Sequence, residues 1–137
     1  MRLLAPALLL ACLLPAASSA AVIAFRTPTG DIGCVFTSGL GPGASLRCAI
    51  RSGLRPRPPK PRGCDLDWGD SYELERTGRA HVTCHGDTAI LPRSRVLRYG
   101  SSWTRGGFVC TSRVTGLRCR NASDHGFVLG KQRSYRF

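Results

Sequence analysis

Acidic residues are scarce in this chain: 8 Asp and Glu stand against 20 Lys and Arg, a formal net charge of +12. A positive field of that size favours anionic partners, whether phosphate polymers, acidic lipids, nucleic acid or acidic proteins, without choosing among them. Lysine is nearly missing too, since 18 of the 20 basic residues are Arg. Arginine stays charged at any working pH and pairs with carboxylates and phosphates in two-pronged fashion. A GC-rich coding bias would also raise Arg over Lys, so the charge does not by itself specify a partner. Beyond residue 20 there is no long apolar run, which excludes a later membrane-spanning helix. No window there keeps an apolar stripe at helical spacing for three turns, which argues against a helical domain. Cys-x-x-Cys knuckles, the Gly-x-Ser-x-Gly elbow, phosphate loops and His-Glu-x-x-His are all absent. The usual sequence marks of zinc modules, serine hydrolases, nucleotide-binding proteins and zinc proteases are therefore missing.

The first twenty residues have the three parts of a signal peptide: Arg2, the apolar run Leu3–Leu14 broken by Pro6, and the small residues of Pro15–Ala20. That run is shorter than the roughly 20 residues a bilayer span needs. Cleavage is expected after Ala20, with Ala21 or Ala24 as alternatives. Leu9–Cys12 faintly resembles a lipidation box, but Leu13 and Leu14 continue the apolar run past it, so Cys12 is expected to leave with the leader. Residues 21–137 then form one exported domain, a monomer, placed outside the cell or in its envelope.

Six cysteines remain: Cys34, Cys48, Cys64, Cys84, Cys110 and Cys119. An even count in a short exported chain marks a disulfide framework. Short alternating runs surround them. Ile32–Phe36 and Leu46–Ile50 read as a hairpin across a Gly-rich loop. Tyr72–Glu75 and Ala80–Cys84 form a second around Thr77-Gly78. Gly107–Cys110 and Leu117–Cys119 form a third around Thr115-Gly116, and Phe127–Leu129 and Tyr135–Phe137 supply late strands. This pattern predicts a mainly β fold, a small disulfide-stapled antiparallel sandwich or barrel-like domain. Two hairpins share one text, a cysteine strand, a turn with glycine, then Leu-Arg-Cys. That repetition favours nearest-neighbour pairing: 34–48, 64–84 and 110–119. Loops of such lengths are each stabilised by about 3 kcal/mol in the chain-entropy account.

Arg55–Arg62 alternates proline with positive charge and is expected to run extended, outside any strand ladder. The acidic residues cluster between Asp65 and Glu75. Asp65–Asp70 fits a calcium loop poorly, because its glycine is misplaced and no closing Glu follows. An acidic patch that neutralises nearby Arg and leaves Leu66 and Trp68 inward fits better. His81 and His85 fall on one side of a strand near Asp87, a possible two-histidine metal site. His85, Asp87 and His125 are the candidates for acid–base chemistry. Residues 88–123 hold seven Arg and no acid, interleaved with Tyr99, Trp103 and Phe108. Basic-plus-aromatic surfaces hold single-stranded nucleic acid, though a small core also needs those rings. Arg93, Arg95 and Arg98 are the candidate anion-binding residues.

Phe25-x-Thr-Pro-x-Gly30-x-Ile-Gly-Cys34, Cys64-x-x-Asp67-Trp-Gly69 and Cys84-x-Gly-Asp87-Thr follow one another along the chain. Then come Val96-Leu-x-Tyr99-Gly100-x-x-Trp103, Phe108-x-Cys110, Thr115-Gly-Leu-x-Cys119-x-Asn121 and His125-Gly-Phe127. This ordered series resembles a family of small secreted actinobacterial proteins known only as a domain of unknown function. The resemblance implies structural cysteines and carries no catalytic residue or cofactor. The 55–62 tract is richer in charge than is usual in that family. The reading is a non-enzymatic extracellular or envelope protein that binds anionic polymers or envelope components. The competing readings are a hydrolase or nuclease using His85, Asp87 or His125, and a protease inhibitor presenting a braced loop at 38–45 or 55–62.

Overall fold

The structure, a computed structural model, describes residues 11–15, 19–41 and 43–137. Most of the expected leader lies outside the described residues, as does Pro42 in one of the two candidate inhibitor loops. Cys12 is exposed and unpaired.

Two sheets pack face to face. The first contains β1 (Ala21–Arg26), β2 (Ile32–Ser38), β3 (Ser45–Ile50), β4 (Ser71–Glu75), β5 (His81–Val82) and β6 (Arg95–Val96), in the order β5-β4-β3-β2-β1-β6. The second contains β7 (Ser102–Arg105), β8 (Phe108–Arg113), β9 (Gly116–Arg120), β10 (Gly126–Leu129) and β11 (Tyr135–Arg136), in the order β11-β10-β9-β8-β7. Every pairing is antiparallel except β1 with β6. The expected mainly β, disulfide-stapled architecture is present, as a sandwich rather than a closed barrel.

Alternation builds the core. Successive side chains on a strand point to opposite faces. Accordingly Leu46, Cys48 and Ile50 of β3, Phe108 and Cys110 of β8, Leu117 and Cys119 of β9, and Phe127 and Leu129 of β10 are fully buried. Each large apolar side chain so placed is worth about 1.5–3 kcal/mol of burial. The layers meet strand against counterpart strand. Phe25 of β1 meets Trp103 of β7 at 4.8 Å between ring centroids. Phe36 of β2 meets Phe108 of β8 at 5.9 Å, and Tyr72 of β4 meets Phe127 of β10 at 5.5 Å. In this sense β1–β5 and β7–β11 are two copies of one meander, laid one upon the other.

Disulfides join Cys34 to Cys48, Cys64 to Cys84 and Cys110 to Cys119. The first and third connect residues directly opposite each other in the β2–β3 and β8–β9 ladders, with Cα atoms 4.1 Å apart in each. The sulfurs of Cys34, Cys48 and Cys119 fall within 4.8 Å of one another. All three are consumed in disulfides, whereas a metal needs thiolates.

Three sequence expectations need correction. The third hairpin turns at Val114-Thr115, since Arg113 pairs with Gly116, which belongs to β9. β1, β6 and β7 were not legible as strands: two are short, and β6 is held by a parallel pairing to a distant partner. Leu66, expected inward, is 52 % exposed. Trp68 is half-buried, with its Nε1 donating to Pro58 O at 3.2 Å. Residues 55–62 carry no ladder strand, as expected, and are pinned by that bond and by Ser134 N donating to Arg55 O at 2.7 Å.

Candidate functional site

The chain between β5 and β7 crosses the edge of the first sheet. A turn, with Ser94 N donating to Leu91 O at 3.0 Å, sends it alongside β1. Phe25 then pairs with Arg95, and Leu97 N donates to Arg26 O at 2.7 Å. This places β6 beside β7, the edge strand of the opposite sheet, and leaves a groove of about 580 Å³ between them. Phe25 and the half-buried Trp103 line it, and so do Arg95 and Arg98. Both arginines are exposed, and neither makes an ion pair among the described residues. No Asp or Glu lines the groove.

The structure thus brings together two of the three candidate anion-binding residues. Arg93 is exposed in the preceding turn and does not line the groove. The other arginines of the 88–123 block do not join them. Arg118 lies 3.9 Å above the Phe137 ring, Arg120 approaches Asp124 at 3.5 Å, and Arg105 lies 5.8 Å from the Phe36 ring centroid. Of the interleaved aromatics, Phe108 is core, Tyr99 is 42 % exposed, and Trp103 serves core and groove together. The contribution of Phe25 could not be seen in the sequence, because it depends on the β1–β6 pairing.

The candidate acid–base residues are distributed differently. The His85 side chain is 4 % exposed. Its Nδ1 lies 2.6 Å from Asp87 O, which only accepts, and its Nε2 lies 2.6 Å from Asp70 Oδ1. Both ring nitrogens are therefore occupied. The Asp87 carboxylate accepts from Arg47 Nη2 at 2.9 Å, and that guanidinium holds its carboxyl below the ordinary aspartate value. His125 faces Phe137 O through Nδ1 at 3.3 Å and donates its backbone N–H to Asn121 Oδ1 at 3.1 Å. These bonds hold His125 to Asn121 and the C-terminal residue, and His85 to Asp70 and Asp87. His81 is exposed and approaches Glu73 at 3.9 Å. With both His85 nitrogens engaged, the two-histidine metal arrangement is not formed. Its neighbourhood is a brace: Asp67 and His85 pair through their backbones beside the Cys64–Cys84 disulfide.

A family model described as a family of unknown function (DUF6636) matches residues 5–137. No curated protein and no solved structure matches the chain.

Proposed function

The chain belongs to that family of unknown function, DUF6636, and from this premise we propose that it is an exported, non-enzymatic binding protein for anionic polymers of the envelope or its surroundings. The observation that carries the reading is the acid-free groove in which Arg95 and Arg98 flank Trp103. Guanidinium groups supply charge-assisted hydrogen bonds to phosphate, sulfate or carboxylate, and an indole beside them offers a stacking face. Export is supported by the leader-like N-terminus, the three disulfides and the start of β1 at Ala21, directly after the expected cleavage point. One chain supplies the whole groove, so a monomer suffices.

The test is retention of the secreted protein on heparin or a phosphate polymer at low ionic strength. Binding through counterion release weakens steeply with salt. The wild type is expected to be retained and to elute well before about 1 M salt, and Arg95→Gln/Arg98→Gln to elute clearly earlier. Identical elution of the two proteins would leave the groove without this role.

A further inference from the structure

A second cavity opens at the other edge of the sandwich, where β5 of one sheet lies beside β11 of the other. Its volume is about 490 Å³, and no Asp or Glu lines it. Arg136, on β11, reaches across: its Nη1 donates to Ala80 O at 3.1 Å, and its guanidinium carbon lies 6.0 Å from the Tyr72 ring centroid. One bond engages one nitrogen of a group with five donor hydrogens. Arg79, two residues before β5, lines the same cavity, is exposed and has no ion pair among the described residues.

Three hydroxyl-bearing residues also line it: Ser134, Tyr72 and the exposed Tyr135. Ser134 is 4 % exposed, and its Oγ, like those of Ser71 and Ser112, has no hydrogen-bond partner among the described residues. A buried hydroxyl left unpaired is uncommon and calls for an explanation. Tyr72 is 6 % exposed; burial pushes its phenol above the ordinary value, with Arg136 pulling weakly the other way, so it remains a proton donor. Pro56, Pro58 and Pro59 of the charged tract also line the cavity, and their rigidity fixes its shape. Arg57 also lines the cavity, with its Nη2 donating to Trp68 O at 3.0 Å.

Donors therefore converge from two strands and a turn, with no carboxylate to satisfy them. We propose that this cavity is a separate site for a compact tetrahedral oxyanion, a phosphate monoester, held by Arg136 and Arg79 with Ser134 and Tyr72 as hydroxyl donors. It shares no residue with the groove of Arg95 and Arg98, and the two sites stand or fall independently. The ligand proposed here is a terminal group, whereas the groove of Arg95 and Arg98 is proposed to hold a polymer.

Titration of inorganic phosphate into the full oxidised secreted chain at low ionic strength, followed by backbone amide NMR, tests the site. Saturable shifts are expected around Ser134 and Arg136. Arg79→Gln/Arg136→Gln should weaken the affinity on the order of tenfold or more, the loss expected for charge-assisted bonds. Arg95→Gln/Arg98→Gln should leave phosphate affinity unchanged while reducing polymer retention. Arg79 is exposed, so Arg79→Gln alone reads the site without risk to folding, and melting curves check the double variant. Two further ligands identify the source of the monoester: a sugar phosphate, and vesicles of phosphatidylcholine with phosphatidic acid. Saturation by the sugar phosphate alone assigns a soluble ester or polymer end; saturation by the vesicles as well assigns a lipid headgroup. Absence of saturable phosphate binding, equal affinity in the Arg79→Gln/Arg136→Gln variant, or binding of phosphate but of neither ester would overturn the proposal.

Discussion

The Sγ of Cys48 lies 4.0 Å from the Sγ of Cys119, so the two cross-strand disulfides touch across the middle of the sandwich. All four of their cysteines are fully buried. The third bridge differs, because Cys84 is exposed although Cys64 is not. Thiol–disulfide exchange requires a thiolate to reach a sulfur, so access sets the order of reduction. Mild reductant under native conditions, with alkylation and peptide mapping, should label Cys64 and Cys84 first. Early label at Cys34, Cys48, Cys110 or Cys119 would mean that the sandwich opens more readily than its packing implies.

The exposed bridge should still matter for stability. It closes a loop between residues 20 positions apart, and within that loop Trp68 donates to Pro58 O of the charged proline tract and Asp70 faces His85. Replacing Cys64 and Cys84 by Ser should lower unfolding stability by about 2–5 kcal/mol. Urea denaturation of the double variant measures it, and a midpoint indistinguishable from the parent would show that the brace stands without its disulfide.

Asn121 is fully buried and satisfied at both ends of its amide. Nδ2 donates to Glu75 O at 2.9 Å and to Gly78 O at 2.8 Å. Oδ1 accepts from Ser123 N, Ser123 Oγ and His125 N, each at 3.1 Å. It ties the β4–β5 turn of one sheet to the β9–β10 loop of the other. Asn121→Ala leaves several buried groups unpaired, at about 1–3 kcal/mol each, so a loss of roughly 3 kcal/mol or more is expected. Asn121→Asp should be almost as damaging, because an ionised carboxylate cannot donate to two carbonyls. If Asp is tolerated within experimental error, the Nδ2 bonds are not what holds the two loops together.

What the sequence made legible, and what it hid, follows the range of the interactions. The β2–β3, β4–β5 and β8–β9 hairpins are written in local alternation and glycine turns. Two of them carry their disulfide across directly opposed positions. The shared Leu-Arg-Cys text even marks the two hairpins whose sulfurs later touch. β6 left no such trace: its two residues are exposed, and its partner lies some seventy positions earlier on β1. The candidate groove depends on that pairing, so the sequence offered Arg93, Arg95 and Arg98 together and could not show that Arg93 stays outside it. The cavity of Arg79 and Arg136 was harder still, since it joins two segments more than fifty positions apart.

Acid should weaken the domain through two carboxylates. Arg47 holds the Asp87 carboxyl below its ordinary value, and Lys131, 2.9 Å from Asp31, does the same there. A carboxyl depressed in the folded state stabilises the fold above its unfolded value and loses that contribution as pH falls through the folded one. Both effects should therefore fade below about pH 4. The Asp87 side chain is 84 % exposed, which limits its pair to about 1 kcal/mol or less. Arg47→Met should be less stable than the parent near neutral pH, by urea denaturation, and the gap should narrow towards about pH 3. A gap that stays constant would assign the loss to packing of the arginine stem instead.

Trp103 gives the most direct readout of the proposed groove. The chain has two tryptophans, so Trp68→Phe leaves Trp103 as the sole indole. Trp103 lines the same cavity as Arg95 and Arg98, so a polymer seated there is expected to change the surroundings of that ring. Single-stranded oligonucleotide, used as a generic phosphate polymer, should quench its emission saturably. The slope of log affinity against log salt should fall by about 0.7 for each arginine removed from the contact. Arg95→Gln and Arg98→Gln should each produce that change. Arg93→Gln, outside the groove, should lower the affinity slightly through the general field and leave the quenching amplitude intact. Equal slope changes at all three positions would point to a diffuse basic surface, with the groove playing no special part. Retention on the polymer without any change in Trp103 emission would place the contact elsewhere on the protein.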